Sequence, residues 1–109
     1  MAYDDALAER VRQVFAGRDD IVARKMMGAL CFMAGGHMCC GVSGPDLMVR
    51  IGREAQEQTL AMPHVRLMEI GGQPVAGFVL VSMAGIPSDD VLAEWIHRGT
   101  DFVATLPPK

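Results

Sequence analysis

His37, Met38 and Cys39 are the residues whose types and spacing most invite chemistry. Positions i and i+2 of a strand share a face, so His37 and Cys39 can present an imidazole and a thiolate together to a metal ion. Two ligands do not complete a site. His64 and His97 stand alone and no CxxC occurs, so closure would need Cys31, Cys40 or another chain. A histidine beside a turn next to a half-buried thiol is the stronger reading, and no metal and no cofactor are expected. A metal-linked or thiol-based redox module using His37 and Cys39 with Cys31 or Cys40 is the second functional reading. Cys39 and Cys40 are neighbours, and on a regular strand they point to opposite faces. Cys31 and Cys40 fall opposite each other across a hairpin. Redox sensing needs a depressed pKa together with exposure, whereas small buried thiols behave as apolar filling.

Other catalytic signatures are missing. Neither GxGxxG nor GxxxxGK[ST] occurs, and Gly41-Val42-Ser43-Gly44 is only a fragment of GxSxG, set between strands instead of entering a helix. The chain is expected not to be an enzyme. Nine methionines are many for this length. Met26 and Met27 would point opposite ways in an extended segment, so adaptable core filling outweighs copper binding, and a forgiving protein-binding patch is the functional option. Arg24, Lys25, Arg50, Arg53 and Arg66 read as solvated rims.

These residues must be positioned by a chain of 109 residues, 50% hydrophobic and 21% charged, with a net charge of −3. That composition supports a single domain over residues 1–109, folded without metals or disulfides. The acidic balance argues against direct nucleic-acid binding. No apolar run approaches the roughly 20 residues of a membrane span, and Asp4 and Asp5 stand where a signal peptide carries positive charge. A cytoplasmic location is expected.

Residues 4–16 set Leu7, Val11, Val14 and Phe15 on one helical stripe, with Gly17 as the stop. Residues 21–51 lose that period. Gly35-Gly36 and Gly44-Pro45 are two-residue turns, which predicts a three-stranded meander with Met33 opposite Met38, Cys31 opposite Cys40, and Val42 opposite Leu47. Alternation then puts Cys31, Met33, Met38, Cys40, Val42, Leu47, Val49 and Ile51 on a helix-covered face. The other face carries Leu30, Phe32, His37, Cys39, Ser43, Asp46, Met48 and Arg50. Leu30, Phe32, Cys39 and Met48 are too apolar to meet only water, so with Arg50 they form the expected partner-binding patch. A short helix over residues 52–61 precedes a second hairpin, 65–70 and 75–82, with a longer turn at 71–74 and Val75, Val79 and Val81 on one face. Ser88 caps a final helix with Val91, Leu92, Trp95, Ile96, Phe102, Val103 and Leu106 on one stripe. Gly99 on that stripe permits close approach to a strand or helix, and Pro107 and Pro108 end it. The sum is an α+β fold in the order α-β-β-β-α-β-β-α, a five-stranded antiparallel sheet with helices packed on it.

Residues 25–33 (KMMGALCFM), 38–42 (MCCGV), 46–52 (DLMVRIG) and 72–79 (GQPVAGFV), with the Trp95 helix and Leu106-Pro107-Pro108, resemble the N-terminal domain family of the competence regulator TfoX (Sxy). Met27 stands where that family usually has an aromatic, and Gly35-Gly36 where it has Asn-Gly; both keep the physical role. The resemblance implies an α+β domain, often dimeric, with a secretion-chaperone-like strand order and no catalytic residues to transfer. Two-domain members carry a further C-terminal domain, and this chain ends at Lys109. The functional expectation is a non-enzymatic regulatory domain acting through protein contacts, first as a homodimer and then with a regulatory partner.

Overall fold

Local signals account for the helices. In a computed structural model, which describes residues 3–26 and 28–107, α1 runs Asp5–Val14, α2 Arg53–Leu60 and α3 Asp89–Ala104. Met27 and Pro108 lie outside the described residues. The Asp4 carboxylate accepts the Leu7 amide at 2.9 Å and the Ser88 hydroxyl accepts the Val91 amide at 3.3 Å, each satisfying an N-terminal donor that the helix leaves without a partner. Gly17, at φ +85°, supplies the left-handed turn after α1. Arg10 reaches Asp89 at 2.9 Å and ties α1 to the start of α3.

The sheet has six strands, not five: β1 Ile21–Met26, β2 Ala29–Ala34, β3 His37–Ser43, β4 Asp46–Arg50, β5 Val65–Ile70 and β6 Gln73–Val81. Their order is β1-β2-β3-β4-β6-β5, antiparallel throughout. β1 escapes the pattern because it is an edge: all but one of its residues are exposed, so no apolar alternation marks it. The two turns of the meander close as expected, pairing Ala34 with His37 and Ser43 with Asp46. The second hairpin is tighter than its sequence suggests, for Ile70 pairs with Gln73 and only Gly71 and Gly72, at φ +58° and +81°, make the turn.

One irregularity reorders the faces. Met33 pairs with Met38, but Phe32 pairs with Cys40, so Cys39 is the extra residue of a β-bulge. Cys31 therefore faces Gly41, not Cys40. From the bulge onward the alternation of β2 is out of step with the expected register. Leu30, Phe32 and Ala34 join Cys40, Val42, Leu47 and Val49 beneath the helices, while Cys31, Met33 and Met38 turn to the opposite face. The helix side of the bulge is closed by Gly99 of α3. A β-carbon there would lie 2.3 Å from the Cys39 carbonyl oxygen, which is the close approach its place on the stripe predicts.

A second irregularity falls in β6. Leu67 pairs with Val79 yet Glu69 pairs with Pro74, so residues 75–78 bow out of the ladder with β5, with Gly77 at φ +86° and Phe78 still paired with Arg50 of β4. The Gly77 carbonyl accepts the amides of Ile51 at 2.8 Å and Gly52 at 3.1 Å, and the Gln56 amide donates to the Phe78 carbonyl at 3.1 Å. The bow thus binds β6 to the start of α2. It also parts Val75, which packs on the open face, from Val79 and Val81 in the helix-side core.

All three helices contribute to one core: Leu7 and Val11 from α1 with Phe15 at its C-cap, Leu92, Trp95, Ile96 and Val103 from α3, and Ala55 and Leu60 of α2 against its edge. The other face is built from strands alone. Met26 of β1 and Met68 of β5 nevertheless line one cavity of about 360 Å³. Flat strands spaced about 4.8 Å apart would hold these outer strands some 24 Å from one another, so the sheet curls around its helix-free side.

Candidate functional site

The concave face is where strand residues, and no helix, determine what the molecule presents. Ala29 and Cys31 from β2, Met48 from β4, Met68 from β5 and Phe78 from β6 form its floor, with Met33, Met38, Val75 and Leu80 packed against them. Cross-strand pairing puts Val22 beside Met33 and Met26 beside Ala29, extending the face to the rim, where these two are 54% and 37% exposed. Asp46 and Arg66 meet across one end at 2.5 Å. Five methionine thioethers and a thiol make the surface soft and adaptable.

This is a helix-free apolar face of the kind expected from the sequence, made largely of other residues. Of the expected patch, Met48 lies on it. Leu30, Phe32 and Cys39 do not: the bulge turns them under α1 and α3, where all three are buried. Met33 and Met38, assigned to the covered face, belong to the open one. Met68, Phe78 and Leu80 were missed because nothing local in either hairpin says that β6 pairs with β4; that long-range pairing alone brings them to Met48. Arg50 sits at a corner, its guanidinium carbon 5.5 Å from the ring centres of both Phe78 and Phe102.

The metal candidates separate. The His37 ring, through Nε2, lies 2.7 Å from the Pro107 carbonyl oxygen at the end of α3, whereas the Cys39 thiol donates inward to the Phe32 carbonyl oxygen at 3.3 Å. Among the described residues no three His, Cys, Asp or Glu side chains gather as a metal site. The bulge also corrects the thiol geometry, since Cys39 and Cys40 are both fully buried in the same core. A hydrogen bond from the Cys40 thiol lowers the Cys39 pKa. The same contact, with burial, pushes Cys40 well above the ordinary thiol range. Cys39 thus has the lowered pKa of a reactive thiol without the exposure, and all three cysteines are free.

Burial also raises the Cys31 pKa. A thiol with a folded pKa above its unfolded one binds more protons when folded. Its contribution to stability is whole below the unfolded value, about pH 8.5, and is lost as pH rises toward the folded one. Urea unfolding of the native protein is therefore expected to weaken above about pH 8.5, by at most ~1.4 kcal/mol per pH unit from this group. Cys31→Ser should show a shallower alkaline decline; equal slopes would remove Cys31 from the account.

A curled antiparallel sheet, sheltered by helices on one side and floored with sulfur and aromatic side chains on the other, defines the class: a small α+β domain with a one-sided sheet. The chain belongs to the TfoX N-terminal domain family, whose model matches residues 13–103 of its 109. That family is one of non-catalytic regulatory domains. A search of curated proteins finds no match. Among the described residues no helix is long and apolar enough to cross a membrane.

Proposed function

We propose that this domain regulates through protein contacts and that its first partner is a second copy of itself, bound through the concave face. The observation that carries this reading is the face itself: helices cover one side of the sheet, and the other keeps a continuous apolar cluster whose rim residues Val22 and Met26 are exposed. Covering such surface contributes about 25 cal/mol per Å² of apolar area. The rims supply the argument for self-association. Arg24 stands on the β1 rim, paired across from Cys31, and Glu69 on the β5 rim beside the cavity. A two-fold axis parallel to the strands lays the β1 rim of one copy over the β5 rim of the other, so unlike charges meet twice and the apolar floors face each other.

Transcriptional control of competence, the task associated with the family likeness, is the cellular role this reading supports, exercised through a regulatory partner protein. The net charge of −3 supports protein over nucleic acid as that partner. Three free thiols support a reducing compartment, the cytoplasm, as the setting.

Sedimentation tests the dimer. The native chain should sediment at twice 11.8 kDa. Met38→Asp combined with Leu80→Asp, both at half-buried positions of the open face, should yield the monomer with an unchanged far-ultraviolet spectrum. A native protein that stays monomeric as its concentration is raised would overturn the proposal.

A further inference from the structure

A second cavity lies beside the concave face, between the end of β4, the start of α2, the bow of β6 and the last turns of α3. It has a volume of about 640 Å³ and is lined by Arg50, Gly52, Arg53, Glu54, Gly77 and Phe102, among others. Its most informative side chain is Arg50. Phe78 and Phe102 each hold their ring centres 5.5 Å from its guanidinium carbon, within the range of cation–π attraction.

A guanidinium that meets a ring through its flat face keeps its edge for other partners. Its N–H groups lie in the plane, and a carboxylate or phosphate takes them two at a time. Among the described residues no carboxylate pairs with Arg50 or Arg53, nor with Arg24 or Arg98, whereas Arg10, Arg12, Arg18 and Arg66 each have one, Asp89, Glu9, Asp20 and Asp46. No buried side-chain nitrogen there lacks a partner, and Arg50, half-buried, lines the cavity without an ion pair among the described residues. With Glu54 on the same wall, the ionisable lining keeps one excess positive charge in a protein that is acidic overall.

The walls are shaped to hold Arg50 in place. A β-carbon at Gly52 would come within 2.5 Å of the Phe102 ring, so glycine is what allows that ring to press against the backbone and flank the guanidinium. Gly77 takes the positive φ of +86° that turns the bow of β6 toward the Gly52–Arg53 peptide. Arg50 is therefore flanked by two rings, one of them seated on the backbone, before any ligand arrives.

We propose that this cavity binds a small molecule through a terminal oxyanion, phosphate or carboxylate, held by the in-plane donors of Arg50 and neutralised further by Arg53. The site shares Phe78 with the floor of the dimer face but takes its donors from Arg50 and Arg53, and anion binding is read separately from association, so the failure of either reading leaves the other untouched.

The probes are inorganic pyrophosphate and citrate, each titrated at fixed ionic strength and followed by amide NMR on the native protein. Saturable shifts confined to Gly52, Arg53, Glu54, Ala55 and Gly77 are expected with at least one of them. Saturation by pyrophosphate alone identifies a phosphate ligand, and saturation by citrate alone a carboxylate ligand. Arg50→Gln should weaken the bound anion about tenfold or more and Arg50→Lys by less, since lysine keeps the charge and loses the fork. Arg53→Gln, at an exposed position, should weaken it severalfold. Shifts that grow linearly with both probes, or that persist unchanged in Arg50→Gln and Arg53→Gln, would overturn the proposal.

Discussion

Gly99→Ala is expected to destabilise the fold by about 3 kcal/mol, the upper part of the usual cost of overpacking. Helix propensity alone points the other way, because alanine in a helix interior is favoured over glycine by up to about 1 kcal/mol. Sterics decide the sign. The added β-carbon would sit 2.3 Å from the Cys39 carbonyl oxygen and 3.2 Å from its carbonyl carbon, and both are backbone that no rotamer can move. Either α3 lifts off β3, uncovering Leu92, Trp95, Ile96 and Val103, or the bulge is lost. Urea denaturation at neutral pH measures the difference. A neutral or stabilised variant would mean that α3 does not seat on the bulge as described.

Phe32→Ala should cost about 3–5 kcal/mol, as deletion of a buried aromatic does, and the loss should not vary with protein concentration. Phe32 is buried on the helix side, its ring centre 5.5 Å from that of Phe15. The expected sequence register makes it a contact residue, whose truncation would instead weaken association and spare folding. Paired unfolding and sedimentation runs separate the two. Loss of self-association with full stability would restore the register that the bulge displaces.

Much of the architecture was legible because it rests on local chemistry. Asp4, Ser88 and Gly17 bound helices for reasons that lie within a few residues, and Gly35-Gly36 and Gly44 take the positive φ angles that two-residue turns demand. What stayed hidden depends on contacts distant in the chain. A bulge at Cys39 leaves no mark in an apolar run such as Met38 to Val42, since either parity of alternation keeps a greasy side chain on each face. One extra residue then sends Phe32 inward and Cys31 outward. β1 was hidden for the opposite reason, having too few buried residues to show a pattern. Of the candidate site, the existence of an apolar helix-free face followed from composition and turn spacing. Its membership did not, because Met68, Phe78 and Leu80 reach Met48 only through the pairing of β4 with β6.

The outer strands β1 and β5 have a consequence for how large an assembly can become. Each leaves one row of peptide groups without a neighbouring strand, a template on which further chains could stack without limit. Arg24 and Lys25 on one margin, and Arg66 and Glu69 on the other, put solvated charge beside those rows. Lateral growth into ribbons is thereby discouraged while the floor of the hollow between the margins stays apolar, which suits finite, closed complexes better than fibres.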